Sequence, residues 1–261
     1  MIGPGESRMT ALRNSIPGVV AVAIVLVAWQ GAFALGLIGL SSIPTPWGVA
    51  KSLLALVLTG DLFGPFVHTL WIMLLGSACA LVIGTALGAI LGLSNPAYRW
   101  GMASVDFLRT VPVVALLPVA VMLWGPSTGS ELVITIYAAT WVMAVNTSGA
   151  FASVHPRLGE VVRAFRLTRF EAVRKVWLPA IAAALLVGAR LSVVTAALAA
   201  VIAETLVNPK GLGWEIVRSQ QALQPERLWA YALVAGWFGY FLNFSLIAAA
   251  RILLPGGRAN S

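Results

Sequence analysis

Charged residues are scarce in this chain of 261 residues. Asp, Glu, Lys and Arg together make up 10% of the sequence, whereas hydrophobic residues make up 59%. A water-soluble domain carries roughly 25% charged residues, because its surface must be hydrated. Most of the surface of this protein must therefore contact lipid or other apolar protein, which indicates a membrane protein.

Residues for several kinds of chemistry are also few. The one cysteine, Cys79, lies in an apolar run, which excludes a disulfide framework and a cysteine-based metal site. The histidines, His68 and His155, are far apart and lack a partner at HxxH or HxxxH spacing, so we expect hydrogen-bonding residues and not metal ligands. The sequence has no GxxxxGK(S/T) phosphate loop. We therefore expect no catalytic residue, bound cofactor or metal in this chain, and any ATP chemistry must come from a partner.

Six apolar segments are long enough to cross a membrane, which takes about 20 residues. They occupy residues 16–40, 65–93, 102–124, 131–152, 180–207 and 228–254. The stretch 44–60 is too short to cross and carries Lys51 on a mixed face, which predicts a short helix in the membrane interface. The pattern predicts an all-α protein with a tail at 1–15, a six-helix domain at 16–254 and a tail at 255–261.

The first segment has some features of a cleavable signal peptide. Arg8 and Arg13 precede the apolar run, and Ala32-Phe33-Ala34 is similar to a cleavage site. Because the apolar character continues through Leu40, over about 25 residues, we expect an uncleaved first helix.

The distribution of cations predicts the orientation of the chain. The formal net charge is +8, but the cations lie in short segments between apolar runs and not on one soluble face, so nucleic acid is not expected as a partner. Most of them lie in segments that are cytosolic if the N-terminus is cytosolic. The positive-inside rule therefore predicts that both termini and the segment 157–179 face the cytoplasm.

The segment 157–179 concentrates cations between two apolar segments. Its apolar residues recur at helical spacing, with Arg163, Arg166, Arg169 and Arg174 between them. This pattern predicts two short amphipathic helices with a bend near residues 166–168 and Thr168 as the N-cap of the second. From these residues alone, the segment is either a topology determinant lying on anionic headgroups or a docking element for another protein.

The same segment resembles the cytosolic loop of the six-span permease subunits of bacterial ABC importers. That loop has the form E-A-A-x-x-x-G and ends in Leu-Pro about thirteen residues after the Gly. Glu160 stands at the Glu position and Leu178-Pro179 at the expected offset. Val161 and Val162 stand at the Ala positions, and Arg166 replaces the Gly.

Further motifs resemble the branch of this family that takes up aliphatic sulfonates, taurine, nitrate or bicarbonate, and pyrimidine-type vitamin precursors. The resemblance covers about residues 40–255. In chain order the motifs are Ile43-Pro44-Thr45-Pro46, Arg109-Thr110-Val111-Pro112 with Pro118, Asn146-Thr147 with Gly149, Gly188-Ala189-Arg190-Leu191, Ala203-Glu204 and Gly211-Leu212-Gly213.

The resemblance implies a permease subunit in the bacterial inner membrane that imports a small anion or a vitamin precursor. It also implies the partners: a second permease copy, identical or non-identical, two cytosolic ATPases that bind ATP-Mg, and an extracytoplasmic binding protein. The residues that it implies for ATPase coupling are Glu160, Arg163, Ala164, Phe165, Arg166, Leu167 and Thr168.

Polar or helix-breaking residues inside the spans are candidates for the translocation pathway or its gate. They are Pro112, Asn146, Arg190, Ser192, Thr195 and Glu204. A cation near mid-membrane costs roughly 2.5–3.5 kcal/mol, so Arg190 either pairs within the bundle or lines the pathway. Glu204 either holds the outer gate or the Gly-Leu-Gly turn, or contacts the substrate. Pro112 and Pro118 predict an interruption of the third span.

Two other functional classes remain alternatives. A membrane-embedded enzyme would need clustered His, Asp or Ser-Lys residues, whereas this chain has 2 histidines, which are scattered. A carrier driven by H⁺ or Na⁺ usually has more spans, arranged as inverted repeats. Transport that continues without an ATPase would favour the carrier.

Overall fold

The computed structural model describes residues 4–37 and 43–253, and within these ranges the chain forms helices and no strand. The helices are α1 (Pro4–Ala34), α2 (Pro46–Thr59), α3 (Phe63–Leu93), α4 (Asn95–Thr110), α5 (Val113–Trp124), α6 (Thr128–Ala152), α7 (Pro156–Ala164), α8 (Arg169–Ala172), α9 (Leu178–Glu204), α10 (Gly211–Gln221) and α11 (Pro225–Leu253). A π-helical turn, Val173–Trp177, joins α8 to α9.

Four helical stretches of the described residues are long and apolar enough to cross a membrane. They are Phe63–Leu93, Thr128–Ala152, Phe170–Glu204 and Pro225–Ala248. Helices α4 and α5 form a fifth span if they are counted together, although they are bent by 85°. The expected first span, 16–40, lies partly outside the described residues, and its described apolar part, Val20–Ala34, is short. The count of six spans therefore stays a prediction.

The helix that contains the fifth predicted span begins before the span itself. The span is predicted from residue 180, whereas the helix is continuous from Phe170 to Glu204, so the position at which this helix enters the membrane stays a prediction. Pro179 lacks an N–H and would break a regular α-helix at this point. The π-helical turn just before it, closed by a hydrogen bond from the Leu178 N–H to the Val173 carbonyl, changes the hydrogen-bond register and lets the helix pass through the proline.

Glycines on one face of α3 bring this helix against α6. At Gly76, Gly84, Gly88 and Gly92, an added Cβ would lie 2.5–2.6 Å from an atom of α6. Such close approach lets van der Waals contact hold helices together where lipid provides no hydrophobic drive. With α9 packed on α6 as well, α3, α6 and α9 form the centre of the bundle.

The short helix expected within residues 44–60 is α2. The Thr45 hydroxyl accepts a hydrogen bond from the Gly48 N–H at its start, and Gly60, with φ +80°, ends it. Its buried residues Val49 and Leu56 pack against Leu212 and its neighbours. The helix is therefore confirmed, and its place in a membrane interface stays a prediction.

Candidate functional site

A cavity of about 450 Å³ lies beside the break between α4 and α5. Its walls come from the break itself, from one face of α6 and from α9. The lining residues are Arg109, Thr110, Val111, Val113, Tyr137, Ala138, Trp141, Val142, Val145, Asn146 and Thr195.

Proline chemistry explains why the chain breaks here. Val111 is extended, as a residue before proline prefers, and Pro112 is extended as the N-cap of α5. Because Pro112 has no N–H, it cannot donate to the Leu108 carbonyl four residues earlier. The hydroxyl of Tyr137 on α6 donates to that carbonyl at 2.7 Å, so the break is held by a hydrogen bond from the neighbouring helix.

The polar groups of the cavity wall include both donors and acceptors, because the hydroxyls of Thr110, Tyr137 and Thr195 donate to backbone carbonyls and keep only acceptor capacity. Arg109 is half-exposed and forms an ion pair with Asp106 at 2.9 Å. The indole Nε1 of Trp141 is buried and has no hydrogen-bond partner among the described residues. The lining residues include no carboxylate. The wall can therefore donate hydrogen bonds to a ligand from Arg109, whereas the Trp141 Nε1 has almost no accessible surface.

Three of the six predicted pathway residues lie at this cavity or next to it. Asn146 and Thr195 line the wall, and Pro112 forms the break between the lining residues Val111 and Val113. The amide of Asn146 donates to the Val142 carbonyl at 2.8 Å, which leaves its side-chain oxygen free.

The other three predicted pathway residues lie elsewhere. The Nε of Arg190 donates to Asn243 on α11 at 2.9 Å, and the buried Ser192 donates to the Ala139 carbonyl on α6 at 2.9 Å. Glu204 is fully buried at the last residue of α9. Nothing in these contacts assigns a pathway role to the three residues, which stays a prediction.

The segment predicted to couple to an ATPase folds through local hydrogen bonds. Helix α7 ends in a Schellman motif, in which the Leu167 N–H donates to the Val162 carbonyl and the Arg166 N–H to the Arg163 carbonyl. Arg166 occupies the left-handed position with φ +49°, where glycine is usual. The expected bend is therefore confirmed, and it keeps the geometry that glycine favours.

The helix that follows this bend begins with a capping box. The Thr168 hydroxyl accepts from the Glu171 N–H at 3.3 Å, and the Glu171 carboxylate accepts from the Thr168 N–H at 3.1 Å. Thr168 is thus the N-cap that the sequence predicts. Phe165 and Phe170 are 74% and 73% exposed on either side of the bend. Glu160, Arg163, Ala164 and Arg166 are also exposed, and Leu167 is half-buried.

At the opposite end of α9, the structure brings together four polar residues that we call the His–Glu cluster: His68, Glu131, Glu204 and Asn208. The Nε2 of His68 lies 3.0 Å from Oε2 of Glu131, and the amide of Asn208 donates to the same oxygen at 2.9 Å. Oε2 of Glu204 accepts from the Gly213 N–H at 2.8 Å. This contact connects α9 to the first turn of α10.

Close packing against α9 explains why glycine occupies both ends of the Gly-Leu-Gly sequence. Gly211 has φ +86°, and a Cβ there would lie 2.2 Å from the Glu204 carboxyl carbon. A Cβ on Gly213 would lie 2.1 Å from the Val201 carbonyl oxygen. Glycine is therefore required at both positions for the turn to close over Glu204.

Sequence reasoning missed the His–Glu cluster. We expected His68 to be an isolated hydrogen-bonding residue, and Glu131 was not singled out. The four residues come from α3, α6, the end of α9 and the loop after it, and His68 is separated from Glu131 by 63 positions and from Asn208 by 140. One available signal was that His68, Glu131 and Glu204 each lie near the end of a predicted span, and that these ends fall on the same side of the membrane.

This chain is similar to known transport proteins over most of its length. The family model described as "Binding-protein-dependent transport system inner membrane component" matches residues 80–258. The protein named as the aliphatic sulfonates transport permease SsuC of Bacillus subtilis (strain 168) is 27% identical over 251 residues, which cover 96% of this chain and 90% of that protein. The nitrate import permease protein NrtB of Leptolyngbya laminosa is 25% identical, over 94% of this chain and 89% of that protein.

Solved structures have a similar fold. The inward-facing MetNI methionine ABC transporter matches with a TM-score of 0.64 at 21% identity, over 71% of this chain and 92% of the matched chain. An amino acid ABC transporter with histidines matches with a TM-score of 0.60 at 15% identity, over 77% of this chain and 96% of the matched chain.

Proposed function

Because the chain belongs to the family of binding-protein-dependent transport system inner membrane components, we propose that it imports a small oxoanion of the sulfonate or nitrate type. As a member of that family, it is the membrane-spanning permease subunit of an ABC importer. The observation that carries the substrate proposal is the Arg109 guanidinium in the wall of the cavity at the α4–α5 break, and the names of the relatives point to the same class of solute.

The chemistry of the cavity supports an anion. Arg109 presents a guanidinium fork, whose planar donors match the oxygens of an oxoanion and which still has N–H groups beyond its contact with Asp106. No carboxylate lines the wall, and the nearby Asp106 carboxylate is already paired with Arg109. Sulfonate and nitrate share these requirements, because both present oxygens with delocalised negative charge.

The cavity forms one half of the proposed pathway. It opens on the surface of a single chain, and a second permease copy would close it. That copy is either identical or a related chain that keeps the family glycine at the position of Arg166. In this arrangement the cavity walls of the two permeases face each other across the pathway.

The proposed orientation places the α7–α8 segment in the cytoplasm of a bacterium, together with both termini. Two ABC ATPases bind ATP-Mg and dock on the segment from Glu160 to Thr168, where exposed Phe165 and Arg166 supply apolar and cationic contacts. A solute-binding protein delivers the anion from the other side of the membrane.

Uptake by proteoliposomes tests the substrate class. The permease, its ATPase and its binding protein are reconstituted, and ATP-driven uptake of ethanesulfonate and of nitrate is measured. Because a hydrogen bond to a charged group contributes about 1.5–3 kcal/mol, Arg109→Gln should reduce uptake roughly 10- to 100-fold. Trp141→Phe, which keeps the ring and removes the N–H, should have a smaller effect.

The matched control is Arg99→Gln, because Arg99 is an exposed cation on the same helix, α4, and lies outside the cavity. It should keep wild-type uptake. Equal uptake by the Arg109 and Arg99 variants would contradict the role of the cavity, and uptake of an uncharged vitamin precursor in place of either anion would overturn the substrate class.

A separate measurement tests the ATPase partners. The purified chain alone should hydrolyse no ATP, and a co-expressed ATPase should co-purify with it. Robust hydrolysis by the chain alone, or uptake that persists without the ATPase, would contradict this part of the proposal while leaving the cavity measurements interpretable.

A further inference from the structure

The His–Glu cluster buries two carboxylates next to one imidazole. Glu131 and Glu204 are both fully buried, and His68 is partly buried. One potential ligand atom from each of the three residues lies within 4.8 Å of the corresponding atoms of the other two. Three helices, α3, α6 and α9, therefore direct one nitrogen and two oxygen donors to the same small volume.

Each carboxylate of the cluster keeps one oxygen free. Oε2 of Glu131 contacts His68 and Asn208, and Oε2 of Glu204 accepts from Gly213. Oε1 of Glu131 and Oε1 of Glu204 are buried without a hydrogen-bond partner among the described residues. Buried polar atoms nearly always have a partner, so these two oxygens indicate that a ligand belongs here.

The charge of the cluster points to a cation. In the described part of the chain, no Lys or Arg forms an ion pair with Glu131 or Glu204, and His68 is the only basic group that reaches either carboxylate. His68 can bring at most one positive charge to the two buried carboxylates, and a charge buried without a partner is strongly unfavourable. A divalent cation would neutralise both and leave the imidazole neutral, as ligation requires.

We propose that His68, Glu131 and Glu204 bind a divalent transition-metal cation. One imidazole nitrogen and two carboxylate oxygens are ligands that Zn²⁺ and Mn²⁺ accept, whereas Mg²⁺ and Ca²⁺ prefer oxygen alone. The proposal is independent of the transported solute and of the cavity at the α4–α5 break.

Neighbouring groups already orient these ligands. The amide of Asn208 donates to Glu131 and to the hydroxyl of Thr128 at 3.2 Å. The Gly213 N–H holds Glu204, and Gly211 leaves room for its carboxylate. Hydrogen bonds of this kind to metal-bound carboxylates fix their direction and contribute to affinity. The cation would tie the ends of α3, α6 and α9 to the Gly-Leu-Gly turn.

Cation binding by the purified full-length chain in detergent tests the proposal. After EDTA treatment and removal of the chelator, the protein is dialysed against Zn²⁺ or Co²⁺, and bound metal is measured by mass spectrometry. We expect about one ion per chain and, for Co²⁺, visible absorption bands of a low-coordinate site with nitrogen and oxygen ligands.

Isosteric variants separate ligation from folding. His68→Gln, Glu131→Gln and Glu204→Gln keep size and hydrogen bonding, and each should abolish stoichiometric binding and the Co²⁺ bands. Asn208→Ala should weaken binding about tenfold or more, because it removes only an orienting contact. The controls His155→Asn and Glu215→Gln change an exposed histidine and a glutamate outside the cluster, and they should bind like the wild type.

Thermal unfolding gives a second measurement, and its result for the wild type does not depend on the variants being stable. Added Zn²⁺ should raise the unfolding temperature of the EDTA-treated wild type, and it should leave that of His68→Gln unchanged. Absence of bound metal and of a Zn²⁺-dependent shift in the wild type would overturn the proposal and favour a proton shared by the two carboxylates. Equal binding by the wild type and all three Gln variants would overturn it as well.

Discussion

The two ends of the long helix that contains α9 differ in how they are built. At its start, the α7–α8 segment exposes cations and aromatic rings and is folded by hydrogen bonds between residues 3 to 5 positions apart. At its end, Glu204 belongs to the buried His–Glu cluster, whose contacts join residues 63 to 140 positions apart. One end holds its shape by itself, whereas the other exists only in the assembled bundle.

This difference has a functional meaning. A segment that folds locally and exposes its apolar and cationic side chains can bind another protein without rearranging the bundle. A buried polar cluster instead depends on every helix that contributes to it, because each unpartnered polar atom is costly in a low-dielectric interior. We therefore expect substitutions at the first end to affect partner binding and substitutions at the second to affect the fold.

The largest expected effect is that of Gly213→Ala on the fold. The added Cβ would lie 2.1 Å from the Val201 carbonyl oxygen. Because that oxygen belongs to the backbone of α9, it cannot move aside as the end of a flexible side chain could. We expect the free energy of unfolding to fall by about 3 kcal/mol, or the chain not to accumulate. Thermal unfolding in detergent, followed by size-exclusion chromatography, measures the change.

The control for this substitution is Gly239→Ala, because no atom lies within 4 Å of the Cβ position in α11. Alanine is the better helix former there, so stability should be unchanged or higher by up to about 1 kcal/mol. Equal loss of stability in both variants would show that the turn over Glu204 has no special steric demand.

The next effect in size is that of Phe165→Asp on partner binding. Phe165 is 74% exposed, so the fold should be unaffected, but a buried aromatic residue at a protein interface often contributes about 2 kcal/mol. We expect roughly 30-fold weaker ATPase binding and uncoupled transport, measured by co-purification and by uptake per ATP hydrolysed. Charge or proline substitutions at Ala164 and Leu167 should act in the same way.

Leu223→Asp is the matched control at the other end of the bundle. Leu223 is 87% exposed beyond α10, so the substitution again places a charge on an exposed apolar residue. ATPase binding should stay at the wild-type level. Wild-type transport by the Phe165 variant would show that the α7–α8 segment determines topology only.

The smallest effect is expected for Arg166→Gly. Its φ of +49° costs an L-residue about 1 kcal/mol, so glycine should stabilise the bend slightly while removing a cation from the surface that we propose faces the ATPase. We expect an intact fold and ATPase docking that is weaker at low salt and approaches the wild type at high salt, because salt screens exposed charges.

Leu223→Gly separates the two consequences of this substitution. Leu223 has φ +54° and ends α10 with the same Schellman hydrogen bonds, from its own N–H to Gln220 and from Gln224 to Ser219. This variant relieves comparable strain without changing charge, so docking should be unaffected. Docking of Arg166→Gly that matches the wild type at every ionic strength would show that the arginine is a neutral replacement.

The sequence alone determined the features that depend on local pattern. Span-length apolar segments, the capping role of Thr168, the bend at Arg166 and the interruption at Pro112 all follow from composition or from contacts within a few residues. The family motifs, in the right order, were sufficient for the class of transporter. The continuation of the helix that follows Thr168 into the fifth predicted span was missed, because a π-helical turn that accommodates Pro179 has no clear sequence signal.

Only the tertiary structure decided which polar residues meet. Asn146 and Thr195 line the cavity with Arg109, whereas Arg190 turns to Asn243 on α11, and helical periodicity in an apolar segment does not distinguish these faces. His68 and Glu131 were ordinary residues in the sequence and became neighbours of Glu204 only when α3, α6 and α9 packed together. The physical reason is that buried polar contacts between helices depend on the rotation and depth of each helix, which close packing at the glycines of α3 fixes.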